Sequence, residues 1–176
     1  MTVRNIEFSE SISIAEKLRQ RTKETDSARN NILDCFVEGA NSDPACDYFV
    51  AEKTAGDTTL YGLMSIKGPP TIQGNEKHQS TQDKIDKSVW VDLLVTDEKS
   101  GLATPLLQQA GQFAKEQAIP YVSLAAYEFY AAGGQPYSVA GYYSAKHGYE
   151  YTGEAYVEID DGETNIYPIY SKKVSQ

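Results

Sequence analysis

The stretch Val89-Trp90-Val91-Asp92-Leu93-Leu94-Val95-Thr96-Asp97-Glu98-Lys99-Ser100-Gly101-Leu102-Ala103-Thr104-Pro105-Leu106-Leu107 decides the fold. Ser88 to Val95 is a near-continuous apolar run, which predicts a central strand covered on both faces; Asp92 interrupts it. From Leu102 the apolar positions Leu106, Leu107, Ala110, Phe113 and Ala114 recur with helical period, and Ile119-Pro120 ends the helix. The turn between strand and helix has the makings of an anion site. Gly101 and Ala103 let a ligand approach the backbone, and the first N–H groups of the helix point outward at the positive end of its dipole. Lys99 could add a charge-assisted contact, and Ser100 and Thr104 could donate hydroxyl hydrogen bonds. An ordinary strand-to-helix turn would use the same residues. Neither GxxxxGK[ST] nor GxGxxG occurs at this junction, which argues against a P-loop or a Rossmann site.

On the N-terminal side, Val3 to Phe8 alternates as a strand, and from Ser11 the spacing of Ile14, Ala15 and Leu18 becomes helical, with Ser11 as a candidate cap. A second helix follows Thr25, with Ile32, Leu33, Phe36 and Val37 on its apolar stripe and Gly39 as its breaker. Tyr48–Lys53 and Thr59–Ile66 form a hairpin across Ala55-Gly56-Asp57. Gly68 to Lys87 is polar and punctuated by Pro69, Pro70 and Gly74, so it is expected to be the longest loop, either a functional lid or an ornament. On the C-terminal side come a strand at Tyr121–Ala126, a helix at Ser138–His147 stopped by Gly148, and strands at Tyr149–Ile159 and Asn165–Lys172 flanking Asp160-Asp161-Gly162.

These elements amount to one α/β (α+β) domain, 176 residues long, with no repeat and no linker. The 16 basic and 25 acidic residues give a formal charge of −9, which disfavours nucleic-acid binding and suits a cationic small molecule. No apolar run reaches the roughly 20 residues needed to span a bilayer, and the N-terminus lacks a leader pattern, so the expectation is a cytoplasmic protein with no membrane partner. The two cysteines suit a reducing compartment; Cys35 reads as a buried thiol in a helix and Cys46 lies in a polar loop, with no spacing that would hold a metal.

The order of elements, together with two segments, resembles the GNAT-type N-acetyltransferase superfamily. The family's cofactor turn usually reads [Q/R]xxGx[G/A]. Gly101 and Ala103 match its last two positions, Glu98 stands at the Gln/Arg position, and Leu106-Leu107 fall where the family's helix carries a Leu-Leu pair. The turn is about two residues shorter than the common pattern. The second segment, commonly NxxAxxLYxxxGF, is matched by Ala140, Gly148 and Tyr149, while Tyr137 replaces the Asn and Ser144 stands at the usual position of the tyrosine that protonates the departing thiolate. The adjacent Tyr143, or Tyr142, could take over that role if the helix is locally shifted; alternatively both simply pack.

The resemblance implies a mixed, largely antiparallel central sheet of six to seven strands flanked by about four helices. It implies acetyl-CoA as cosubstrate, with the diphosphate on Lys99, Ser100, Gly101, Leu102, Ala103 and Thr104. The pantetheine arm would enter where the central strand and the Tyr121 strand splay, on the backbone of Leu93, Leu94 and Val95, with an N–H near Leu94 as oxyanion donor. A homodimer also accords with it. The expected activity is direct transfer of the acetyl group to a primary amine of a small molecule or peptide. A general base must deprotonate the ammonium, and Asp92 leads because burial in an apolar strand would raise its pKa; a hydrogen-bonded structural aspartate is the alternative, and Glu128 is the second choice. The candidate catalytic set is therefore Asp92 with Tyr143 or Ser144. Of the 13 tyrosines, Tyr127, Tyr130 and Tyr137 suggest an aromatic pocket wall. His78 reads as solvated, and His147 as a helix C-terminal residue where a cation is favoured. The competing function is a non-catalytic module of the same fold that binds CoA or a protein partner.

Overall fold

The computed structural model describes residues 1–38, 46–68, 79–126, 129–130, 136–137, 141–160 and 163–175. Among the described residues seven strands join in one mixed sheet in the order β1 (Thr2–Ile6), β2 (Asp47–Ala55), β3 (Thr58–Lys67), β4 (Ser88–Thr96), β5 (Tyr121–Ala125), β9 (Glu163–Lys173), β8 (Glu150–Asp160), and β6 (Phe129–Tyr130) and β7 (Pro136–Tyr137) form a separate pair. The chain divides into two compact units: residues 1–67 with 91–110, and residues 68–90 with 111–176.

In the first unit β1 (Thr2–Ile6) lies antiparallel on β2 (Asp47–Ala55), with Ile6 opposite Tyr48. β2 in turn pairs with β3 (Thr58–Lys67), from Asp47 opposite Ile66 to Ala55 opposite Thr58. Only Gly56 and Asp57 connect them, and Gly56 takes φ +61°, the left-handed conformation that a two-residue hairpin turn demands. α1 (Phe8–Arg19) buries Ile14, Ala15 and Leu18; α2 (Ser27–Val37) buries Leu33 and Phe36. These side chains meet Ile6, Tyr48, Val50, Leu63 and Val95 in one apolar cluster. At about 1.5–3 kcal/mol per large buried side chain, this cluster is what holds both helices on the strands. Cys46, just before β2, is half-buried against this cluster; Cys35 is half-buried where the sequence suggests a buried thiol, and neither is in a disulfide.

α1 begins three residues earlier than its apolar spacing suggests, with Glu7 at the cap position. Ser11 is therefore inside the first turn, buried, with its hydroxyl donating to the Phe8 carbonyl at 2.7 Å. The cap of α2 is a side chain: Asp26 accepts the Arg29 N–H at 3.2 Å. The helix breaker Gly39 lies outside the described residues.

β4 (Ser88–Thr96) runs through Asp92, and α4 (Ala103–Glu116) follows the turn. The close approach of α4 to β3 rests on Gly62, where a Cβ would sit 3.0 Å from Leu106 Cδ1 and 3.1 Å from both Leu102 Cβ and Thr96 Cγ2.

The second unit holds α3 (Gln79–Ile85), β5 (Tyr121–Ala125), β8 (Glu150–Asp160), β9 (Glu163–Lys173) and the pair β6 (Phe129–Tyr130) and β7 (Pro136–Tyr137). β9 pairs antiparallel with both β5 and β8. α3 is a departure from the sequence reading, which ran one loop from Gly68 to Lys87. Its Ile85 anchors a cluster with Trp90 and Ile169, and Thr81 is buried as well, so tertiary burial stabilises a helix whose polar composition hides it. Most of that expected loop, 69–78, lies outside the described residues, as does the Asp161-Gly162 turn. Beside this cluster runs a buried hydroxyl chain: Ser88 Oγ donates to the Lys84 carbonyl at 2.6 Å and lies 2.7 Å from Ser123 Oγ, which is 2.9 Å from Ser171 Oγ. Each hydroxyl is satisfied by the next, which is what allows them to stay out of water.

Two glycines separate steric need from conformational preference. Gly62→Val should lower stability by about 1–3 kcal/mol in urea or thermal melts, because the added carbons overpack the β3–α4 contact. Gly111 lies inside α4, where an added Cβ would meet nothing within 4 Å, and its replacement by Ala should instead gain roughly 0.5–1 kcal/mol.

Candidate active site

The turn after β4 is built on Asp97. This carboxylate is buried, and its Oδ2 accepts the Tyr61 N–H at 2.8 Å and Arg21 Nη1 at 3.0 Å, while its own N–H donates to the Tyr61 carbonyl at 2.8 Å. The strand thus ends clamped to β3. Ser100 N–H then donates to the Asp97 carbonyl at 3.3 Å, and both Lys99 (φ +54°) and Gly101 (φ +75°) take left-handed conformations that redirect the chain into α4. At Lys99, a residue with a Cβ, that conformation costs on the order of 1 kcal/mol. A Cβ at Gly101 would meet nothing within 4 Å, so glycine is needed there for backbone angle and not for space.

The cofactor-turn candidates separate on this scaffold. Lys99 and Gly101 are exposed; Ala103 and Thr104 are half-buried at the start of a 14-residue helix. Among the described residues no acceptor is found for the Ala103 or Thr104 N–H, which leaves two donors at the helix's positive end. Ser100 corrects the sequence reading. Its side chain is turned inward and buried, and its Oγ accepts the Leu102 N–H at 3.3 Å, so the hydroxyl caps the helix rather than facing a ligand. Leu102 is buried as well, its side chain packed toward β3. Lys53 Nζ approaches the Ser100 carbonyl at 3.5 Å, and Lys17 and Arg21 lie 5.3 and 5.6 Å from the Tyr61 ring centroid. Arg29 donates to the Thr96 carbonyl and lies 3.4 Å from Glu98. None of these cations was found by reading the sequence, since nothing local in the helices or the hairpin signals that they converge on one turn.

Along β4, Leu93 and Val95 face the α1–α2 cluster, whereas Thr96 faces Gly62 and α4; period-two alternation puts Asp92 and Leu94 on the Thr96 side. Asp92 is 11 % exposed and paired: Oδ1 lies 2.6 Å from Lys67 Nζ at the end of β3. An isolated buried carboxyl, as the strand pattern suggests, is thus not what the fold contains. Oδ2 is buried with no hydrogen-bond partner, one acceptor position left over from the ion pair.

In the second unit the described part of the expected Ser138–His147 helix is a π-helical turn, Tyr142–Lys146. Gly148 closes it at φ +69°, its N–H donating to the Ser144 carbonyl at 3.1 Å, and the Tyr149 N–H reaches the Tyr143 carbonyl at 3.1 Å. The wider turn separates the two candidate proton donors. Ser144 is exposed, while Tyr143 sits among Tyr142, Tyr149 and Tyr170 at centroid distances of 5.6, 6.0 and 6.4 Å. Burial, reinforced by Tyr142, raises the Tyr143 pKa well above that of an ordinary phenol, and burial with Tyr143 does the same at Tyr149, so both stay protonated near neutrality. His147 overturns an expectation. Burial, then the charges of Lys146 and Lys172, push its pKa below 6.5, so the neutral imidazole is favoured there despite the helix end. Its Nε2 is buried without a partner, and its ring lies 4.7 Å from that of Tyr142. His78, Tyr127, Glu128 and Ala140, and the side chains of Tyr130 and Tyr137, lie outside what is described.

The His147 shift sets a pH dependence. The unfolded chain binds a proton at about 6.5 and the folded chain only at lower pH, so stability should rise with pH between the folded value and 6.5 and be complete above it. Thermal melts across this window should show a flatter slope for His147→Gln than for the native chain; equal slopes would remove His147 as the cause.

No family model matches the sequence, and no curated protein matches it. Solved structures do. An N-acetyltransferase from Staphylococcus aureus Mu50 is 12 % identical, with 99 % of this chain and 98 % of that chain covered and a TM-score of 0.56. A spermidine N-acetyltransferase chimera from Vibrio cholerae and hSSAT is 16 % identical over 98 % and 94 %, also at 0.56. A GNAT-family acetyltransferase from Listeria monocytogenes is 12 % identical over 98 % and 94 %, at 0.54. With its seven-stranded mixed sheet and flanking helices, the chain has the fold of the GNAT acetyltransferases.

Proposed function

We propose that the protein is an N-acetyltransferase that moves the acetyl group of acetyl-CoA directly to a primary amine. The observation that carries this reading is the turn after β4, where the unpartnered Ala103 and Thr104 N–H groups stand at the positive end of α4, on a chain with the fold of known acetyltransferases. A diphosphate suits that end, with Gly101 leaving its approach open and Lys99 adding a positive charge. The backbone of Leu93, Leu94 and Val95 is assigned to the pantetheine arm, with the N–H near Leu94 opposite the developing oxyanion.

The roles of the side chains follow from their chemistry. Asp92 serves as base: Lys67 holds Oδ1, and the spare Oδ2 accepts the proton of the substrate ammonium, directly or through a water. The freed amine attacks the thioester carbonyl carbon, the C–S bond breaks as the tetrahedral intermediate collapses, the thiolate takes a proton from the Tyr143 phenol, and the proton still in excess on the new amide nitrogen passes through water to the Tyr143 phenolate and restores it. Tyr143 is preferred to Ser144 because a phenol is a far stronger acid than an aliphatic hydroxyl and because Ser144 is exposed to solvent. The acceptor is taken to be a cationic small molecule or a peptide amine, in keeping with the charge of −9 and with a spermidine N-acetyltransferase among the structural neighbours. A module that binds CoA without turnover is the second reading, favoured by Glu98 in the turn and by Ser144 at the usual tyrosine position.

CoA at millimolar concentration should raise the melting temperature, and acetyl-CoA should release free thiol with at least one member of a panel of polyamines, aminoglycosides, amino acids and peptides. A shift without thiol release selects the second reading; no shift removes both. Asp92→Asn should lower kcat by about 100-fold or more and leave CoA affinity within about twofold, as expected for loss of a general base. Tyr143→Phe should depress kcat more than Ser144→Ala does.

A further inference from the structure

Glu98 places a carboxylate, 58 % exposed, in the turn assigned to a diphosphate. Like charges at such a site repel, and the repulsion would weaken binding unless something neutralises the carboxylate. The structure supplies Arg29. Its guanidinium, only 16 % exposed, donates to the Thr96 carbonyl and lies 3.4 Å from Glu98 Oε1 and 3.8 Å from Asp26 Oδ2. Its backbone N–H is the group capped by Asp26 Oδ1, which fixes the residue at the start of α2. One side chain therefore fastens α2 to the last residue of β4 and at the same time pairs the acidic residue of the turn.

We infer that Arg29 is a positioning residue for the anion site: by pairing Glu98, it makes a turn that carries a carboxylate able to accept a diphosphate. This rests on the acetyl-CoA reading. The surroundings support it, because Arg21 pairs with Asp97, Arg29 with Glu98, and Lys53 approaches the Ser100 carbonyl, so each carboxylate of the turn has a cation partner in a chain whose overall charge is −9.

The test is a double-mutant cycle read by calorimetric titration with CoA and, in parallel, with pantetheine, which lacks the diphosphate. Arg29→Gln should weaken CoA binding about 10-fold or more and leave pantetheine unchanged, and adding Glu98→Gln should restore CoA affinity to within about threefold of the native value. A purely structural role for Arg29 would weaken both ligands and would not be rescued by Glu98→Gln, and that result overturns the inference. Glu98→Gln alone provides a check that does not depend on the Arg29 variant folding. It releases the Arg29 guanidinium from its pairing with Glu98, so CoA affinity should hold or rise by up to about 10-fold with pantetheine unchanged; a fall in CoA affinity would show that Glu98 does not oppose the diphosphate and overturn the inference. A native chain that binds no CoA overturns the acetyl-CoA reading and this inference together, whereas native binding without rescue overturns this inference alone.

Discussion

The first unit depends on how the chain is clamped where it leaves β4. Asp97 takes the Tyr61 N–H and the Arg21 guanidinium on one oxygen and returns its own N–H to the Tyr61 carbonyl, so side chain and backbone together extend the pairing of β3 past the end of the strand. A buried carboxylate tolerates removal from water when it is paired and hydrogen-bonded, and here Oδ2 meets a backbone N–H of the neighbouring strand and a guanidinium just beyond α1. With the exit fixed, the following residues have little freedom. They reverse through two left-handed positions, Lys99 and Gly101, and enter α4 with Ser100 folded under the first turn. The two outward N–H groups of α4 are a consequence of this geometry.

The same clamp organises charge. Arg21 and Arg29 reach the turn from beyond α1 and from the start of α2, and Lys53 reaches it from β2, so separate segments of the first unit bring cations to one short turn. Distance in sequence is no obstacle, because α1 and α2 are fixed by the apolar cluster of Leu18, Leu33, Phe36, Val50, Leu63 and Val95. Packing in the core decides where the guanidinium groups stand, and the guanidinium groups decide what the turn can accept. In the second unit a comparable dependence appears at the π-helical turn: one wider turn directs Tyr143 into the aromatic cluster, leaves Ser144 in solvent, and buries one nitrogen of His147.

Strong periodicity is legible in this chain and weak periodicity is not. β4, α4 and the β2–β3 hairpin follow their apolar spacing closely, because each buries a face whose pattern no other structure would satisfy. α3 escapes a reading of the sequence because its seven residues are mostly polar and its stability comes from Ile85 entering a core assembled by distant residues. Ser11 misleads for a related reason: a serine near a helix start reads as a cap, yet here the helix begins earlier and the hydroxyl bonds back to Phe8. His147 has a favoured charge by its helix end alone, but burial and two lysines outweigh a dipole that fades within one turn.

The sequence alone therefore determined the order and type of the long elements, the position of the strand–turn–helix junction and the residue types available there. Those properties are local, set by apolar period, glycine and proline over a few turns of chain. Only the tertiary structure decided that Ser100 faces inward, that Asp92 is paired with Lys67, that Arg29 meets Glu98, and that Tyr143 and not Ser144 joins the aromatic cluster. Each of these is a contact, or the want of one, between segments far apart in the chain or a matter of helical pitch, and burial and charge pairing are properties of surroundings that no single stretch of sequence contains.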